Sequence, residues 1–168
     1  MTFIINILNY SSLLFVAIMF VIGFTVPTFM SLETHIGFGL LAVFVAILCL
    51  SLTLFYFITA GTPIKEAANE KKIPLEDYQT SKKIKLKLFP MIMTSILFFI
   101  ITPALGAAYT VGKLDITTHL VAAIGTILIF FFTIREARSS MKAQLQILKR
   151  VYPKKKNDKP SLNDQAIP

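Results

Sequence analysis

The chain holds only two histidines, His35 and His119, and both stand in the same setting. Each follows a threonine at the start of a long apolar run, as Thr34-His35-Ile36 and Thr118-His119-Leu120. The run before each one carries threonine and proline, as Thr25-Val26-Pro27 and Thr102-Pro103. This spacing predicts two helix pairs of like topology, each returning through a helix that opens on a histidine. Duplication of one pair would make the second and fourth helices equivalent, a parallel repeat. Both imidazoles then lie near helix N-termini at similar depth, where the dipole and burial keep the ring neutral. Neutral imidazole is the form that binds metal. Four residues on, on the same helical face, stand Gly39 and Ala123. Small residues there leave room for a flat macrocycle to approach the backbone, and Gly37, Ala122 and Gly125 slim the same helices nearby.

The chemistry that fits such a pair is a low-spin haem b with His35 and His119 as its axial metal ligands. Haem iron asks the protein for axial ligands alone, and two imidazoles suffice for electron transfer. Four-helix bundles build such sites between facing helices. The propionates would point outward to Lys113, the one cation of the outer turns, with hydroxyls from Thr34, Thr117 and Thr118 nearby. Other readings stand beside this one. An interfacial histidine also serves simply to hydrogen-bond a carbonyl or a water, and glycine and alanine on one face also let bare membrane helices pack closely. Two histidines fall short of the three or four ligands that zinc takes. No carboxylate lies inside the apolar runs to orient either ring. Copper assisted by Met30 or another methionine has no supporting spacing.

The elements that must position these rings follow from hydropathy. Hydrophobic residues make up 55% of the 168 residues and charged ones 15%, against roughly 25% charged in an ordinary soluble domain. Mean hydropathy is +0.69. A helix needs about 20 apolar residues to cross a hydrocarbon core, and four runs qualify: 10–30, 35–59, 88–109 and 116–134. The expected fold is therefore all-α, a polytopic four-helix transmembrane bundle of two tandem hairpins. Of the 17 Lys and Arg residues, only Lys113 falls in an outer turn. The positive-inside rule then places both termini and the central loop in the cytoplasm, with the bacterial cytoplasmic membrane as the expected location. The first run lacks a basic start and a small-residue cleavage site, so it is expected to be a retained helix.

The Lys-rich loop between the pairs should hold a helix stop at Gly61, a cap at Thr62 and a short helix over 63–72. Pro74 should start another helix, with Glu76 and Asp77 in its first turn. It would run through Lys82, Lys83, Lys85 and Lys87 into the third span, where Pro90 would kink or break it. Those lysines should reach anionic lipid headgroups. The fourth helix should continue past the membrane over 135–152 with a stripe of Ile134, Ala137, Met141, Leu145, Leu148 and Tyr152. The inner loop, the bilayer or another subunit must cover that stripe. Residues 153–168 read as a disordered basic tail. Pro27 and Pro103 should shape the outer turns. The aromatic triplets Phe55-Tyr56-Phe57 and Phe130-Phe131-Phe132 should form an interfacial belt.

Several function classes are excluded. A net charge of +8 belongs with the membrane surface rather than with nucleic acid. The single cysteine, Cys49, forms no internal disulfide and reads as a buried small hydrophobe. No phosphate loop, nucleophile elbow or metalloprotease motif occurs. The absence of charge from all four runs argues against an ion-coupled transporter, which ranks third. An electron carrier or accessory subunit is expected rather than a catalyst. The layout resembles small haem-bearing membrane subunits of electron-transfer complexes, an architectural likeness that implies a b-type cytochrome or a haem-bearing respiratory subunit. The alternative is a haem-free accessory or assembly subunit, associating with other membrane subunits or with itself.

Overall fold

The computed structural model describes residues 2–26, 28 and 30–153. Four helices account for nearly all of it: α1 Thr2–Gly23, α2 Leu32–Asn69, α3 Leu75–Thr110 and α4 Ile116–Val151, with no strand among the described residues. Each contains a segment long and apolar enough to cross a membrane. At 1.5 Å per residue the 38 residues of α2 extend about 57 Å, well beyond a hydrocarbon core of about 30 Å. The excess lies at the Lys-rich end, where α2, α3 and α4 continue together.

The outgoing helix of the first pair begins and ends earlier than its expected span of 10–30, because the charge-free residues before Tyr10 are already helical. The proposed motif residue Pro27 and the tail from Lys154 lie outside the described residues. The expected stop at Gly61 is absent, for α2 runs unbroken through Gly61, Thr62 and Pro63. A proline inside a helix removes one backbone bond and crowds the preceding turn. Here Ile64 and Ala67, both buried just beyond it, hold the helix on its neighbours. Likewise α3 continues through Pro90 and Pro103. Pro103 therefore sits inside a helix and does not shape the outer turn. That turn is made by Gly112, at φ +70°, with the Lys113 amide bonded back to Ala108. Ser31 caps α2 through the Thr34 amide, and Asp115 caps α4 through the Thr117 amide.

The two hairpins repeat. Contacts join α1 to α2, α2 to α3, α3 to α4 and α4 to α1, and α2 also meets α4 across the diagonal. Exchanging the first pair with the second leaves this pattern unchanged, as a parallel duplication requires. The register agrees residue by residue. On the outgoing helices, buried Ile5, Asn9 and Ser12 correspond to buried Leu88, Ile92 and Ser95 at one constant offset. On the returning helices the offset is larger by a single residue. It relates buried Ala46, Leu50 and Phe57 to buried Phe130, Ile134 and Met141, and it relates His35 to His119. Even a hydrogen bond is repeated. Cys49 Sγ donates to the Leu8 carbonyl at 3.7 Å, and its counterpart Thr133 Oγ1 donates to the Met91 carbonyl at 3.4 Å.

One core fills the middle of the bundle, centred on Phe57, Leu88, Ile92, Phe99 and Phe130. The Phe99 and Phe130 rings meet edge to face with centroids 4.9 Å apart. The aromatic belt is thus only partial. Phe55, Phe131 and Phe132 point outward, while Tyr56, Phe57 and Phe130 belong to the core, because adjacent residues on a helix face different sides. A second cluster of Ile64, Ala67, Ile73 and Ile147 binds the projecting helix ends together. The same chain therefore covers part of the α4 stripe. Ile134, Ala137 and Met141 are buried as expected, but Leu145 and Tyr152 are exposed, and Gln144 and Ile147 take the inward places. Gln144 tolerates that place by donating to Ser81 Oγ at 2.9 Å. Arg150 closes the end of the stalk with two hydrogen bonds to the Asp77 carboxylate, at 2.8 and 3.0 Å.

Candidate functional site

Packing is uneven along the bundle axis. No described residue between Phe20 and Leu41, or between Ile100 and Gly125, is buried. The outer end, where both histidines lie, has no sealed core of its own.

His35 is half-buried near the start of α2, and its ring lies against Gly23 of α1. A Cβ at Gly23 would stand 3.1 Å from the ring's Cε1. His119 occupies the equivalent place on α4 and lies against Gly106 of α3, where a Cβ would stand 2.9 Å from Cε1. Only glycine leaves each ring its position, because real carbon contacts rest at about 3.5–4.0 Å. His119 Nδ1 donates to the Thr102 carbonyl at 3.1 Å. With the proton on Nδ1, the lone pair is on Nε2, the arrangement common to metal-binding imidazoles whose other nitrogen is tied to a carbonyl. His35 Nδ1 is buried without a partner. The repeat therefore holds in position but not in hydrogen bonding.

Each ring packs within its own hairpin. The expected neighbours behave differently from one another. Gly39 has open space where a side chain would begin, and Ala123 is half-buried on α4. Lys113 is exposed in the α3–α4 turn, and Thr34 bonds to Ser31 within its own helix cap. The glycines that meet the rings, Gly23 and Gly106, were not among the expected site residues. A signal existed in the near-equal spacing from each glycine to the histidine that follows it, which only a hairpin register makes meaningful. Among the described residues no cluster of three or more histidine, cysteine or acidic side chains could hold a metal ion without such a macrocycle.

Beneath the histidines, polar pairs join the helices of each hairpin. Asn9 Nδ2 donates to Thr53 Oγ1 at 3.0 Å in the first pair. In the second, Thr102 meets Thr126 at 2.6 Å and Ser95 meets Thr133 at 2.8 Å. Cys49 is buried among these groups and has no titratable partner in its contacts, so no nucleophile is assembled. Comparison with protein-family models, with curated proteins and with solved structures finds no match for this chain.

Proposed function

We propose that the chain is a small membrane-embedded b-type cytochrome, or the haem-bearing subunit of an electron-transfer complex, with His35 and His119 as the axial ligands. The observation that carries the reading is the His119 ring, bound through Nδ1 to the Thr102 carbonyl with Nε2 left as a free base. Three features support it. The two histidines are equivalent in the repeat, they sit on the diagonal helices α2 and α4, and they lie at the end of the bundle without a sealed core. Such a haem would supply a one-electron carrier with no open coordination position. Gly39 and Ala123 would flank the macrocycle, and Lys113 would meet its propionates. By the positive-inside rule the Lys-rich end and both termini would be cytoplasmic, and the haem would lie near the opposite face of a bacterial inner membrane.

The test is a reduced-minus-oxidised absorption spectrum of the full chain purified from haem-replete cells. A sharp α-band of bis-imidazole b haem is expected, lost in both His35→Ala and His119→Ala while helicity stays intact. A folded, colourless wild-type protein overturns the proposal. One observation favours a second reading, a haem-free accessory subunit: each ring already packs on a glycine of its own hairpin, as a purely structural histidine would. Under that reading the same preparation is colourless and retains a partner subunit in mild detergent.

A further inference from the structure

The Lys-rich end carries a separate feature that owes nothing to the haem reading. Gly61 is buried on α2, and the space its Cβ would fill is taken by the Lys85 ammonium of α3, with Lys85 Cε 2.5 Å from that point. The lysine therefore lies flat across a notch that only glycine provides. Two cations on the neighbouring helix faces are engaged: Lys87 pairs with Glu136 at 2.9 Å, and Arg150 with Asp77. Lys85 forms no hydrogen bond or ion pair among the described residues. Burial also pushes its ammonium below the ordinary lysine value. It faces a groove of about 400 Å³ between α2 and α3, lined with Thr62, Lys65, Asn69 and Tyr78 as well as the Gly61 notch. Glu66 also lines the groove, beyond ion-pair distance of either lysine.

We propose that this groove binds the phosphate of an anionic lipid headgroup, with the Lys85 ammonium as its principal contact. The depth argues for lipid. Gly61 is two residues past the last residue of the expected second span, Thr59, so Lys85 sits at the membrane–water boundary where headgroup phosphates lie. The lining supplies what a phosphate needs: a second ammonium from Lys65 and hydroxyl donors from Thr62 and Tyr78. The groove is larger than one phosphate requires, leaving space for the glycerol of a headgroup. A free phosphate ion shares this chemistry, and the experiment separates the two sources.

The full chain is extracted in mild detergent and its bound lipid is read by native mass spectrometry after exposure to phosphatidylglycerol or phosphatidylcholine. Wild type should retain phosphatidylglycerol selectively. Lys85→Gln should weaken retention about tenfold, one charge-assisted contact's worth, whereas Lys85→Arg and the exposed-surface variant Lys142→Gln should retain it. Thermal unfolding of each variant in detergent checks the fold and serves as the second arm, with inorganic phosphate added. Protection by inorganic phosphate that Lys85→Gln abolishes, without lipid selectivity, keeps the anion site and assigns it to free phosphate. Equal retention by Lys85→Gln and wild type, or equal losses in Lys142→Gln and Lys85→Gln, overturns the proposal.

Discussion

Substituting Gly106 by alanine tests how firmly the His119 ring is held. The new Cβ would stand 2.9 Å from Cε1 and 3.1 Å from Nδ1 of that ring. Relaxing to an ordinary contact of about 3.5 Å requires the ring to retreat by about 0.6 Å. Thr102 and Gly106 share one face of α3, so the retreat also draws Nδ1 away from its acceptor. The 3.1 Å bond would stretch to about 3.7 Å, past the useful limit for a hydrogen bond. Losing such a bond within a membrane costs about 0.6–1.7 kcal/mol, and overpacking adds about 1–3 kcal/mol. The better helix propensity of alanine returns up to about 1 kcal/mol. With the full alanine gain subtracted, the net expectation is destabilisation by about 0.6–3.7 kcal/mol. Gly39 provides the control, since no atom lies within 4 Å of its Cβ position. Gly39→Ala should be neutral or stabilising by up to about 1 kcal/mol. Gly23→Ala should fall between, because His35 stands at 3.1 Å and its Nδ1 has no bond to lose. Equilibrium unfolding in mixed detergent micelles, followed by circular dichroism, reads all three. A Gly106→Ala protein as stable as Gly39→Ala would refute the reasoning.

Three further outcomes are expected. A double-mutant cycle of Ser95→Ala and Thr133→Val should give a coupling near 0.6 kcal/mol and no more than about 1.7 kcal/mol; zero coupling would mean that the 2.8 Å contact contributes nothing. Arg150→Ala should change global stability by no more than about 1 kcal/mol, because the guanidinium is 64% exposed. Hydrogen exchange in the last turns of α4 should nonetheless quicken while the middle of α4 stays protected, and uniform quickening would contradict a local clamp. The last outcome concerns alkaline pH. The folded-state pKa of Lys85 is lowered by burial, so the unfolded chain holds that proton more tightly and stability rises with pH between the folded and unfolded values. Below the folded value the cost of burying the ammonium is fully present. Lys85→Met should remove both that cost and its share of the pH slope, and an unchanged slope would count against the burial.

Much of the architecture was legible because membrane helices announce themselves by long charge-free runs. The spans ending at Thr59, beginning at Leu88 and covering 116–134 all lie within the observed helices, and the extension of α4 past Arg135 was readable from its apolar period. Proline misled at Pro63 and Pro103, and at Pro90 the helix kinks at most, since it does not break. Pro63, Pro90 and Pro103 all lie inside helices, since tertiary packing outweighs the loss of a single backbone bond. The stripe on α4 was half legible: hydrophobicity picked out Met141 but not Gln144, whose place depends on a serine on another helix. At the site, the histidines were visible from their rarity and their shared Thr-His context. Gly23 and Gly106 were not, because a contact across a hairpin depends on a register that one strand of sequence does not display.

The single-residue difference between the two offsets carries a consequence for how such a chain can change. A hairpin that dimerised with itself would have to accept every substitution in both copies. Once the copies are fused, each can drift alone. Asn9 meets Thr53 in the first half, while the corresponding Ile92 and Ala137 are wholly aliphatic. His35 and His119 have followed the same course, one ring anchored to a carbonyl and the other not. The repeat thus sets where the rings stand, and the differences between its halves give each ring a different electronic surrounding.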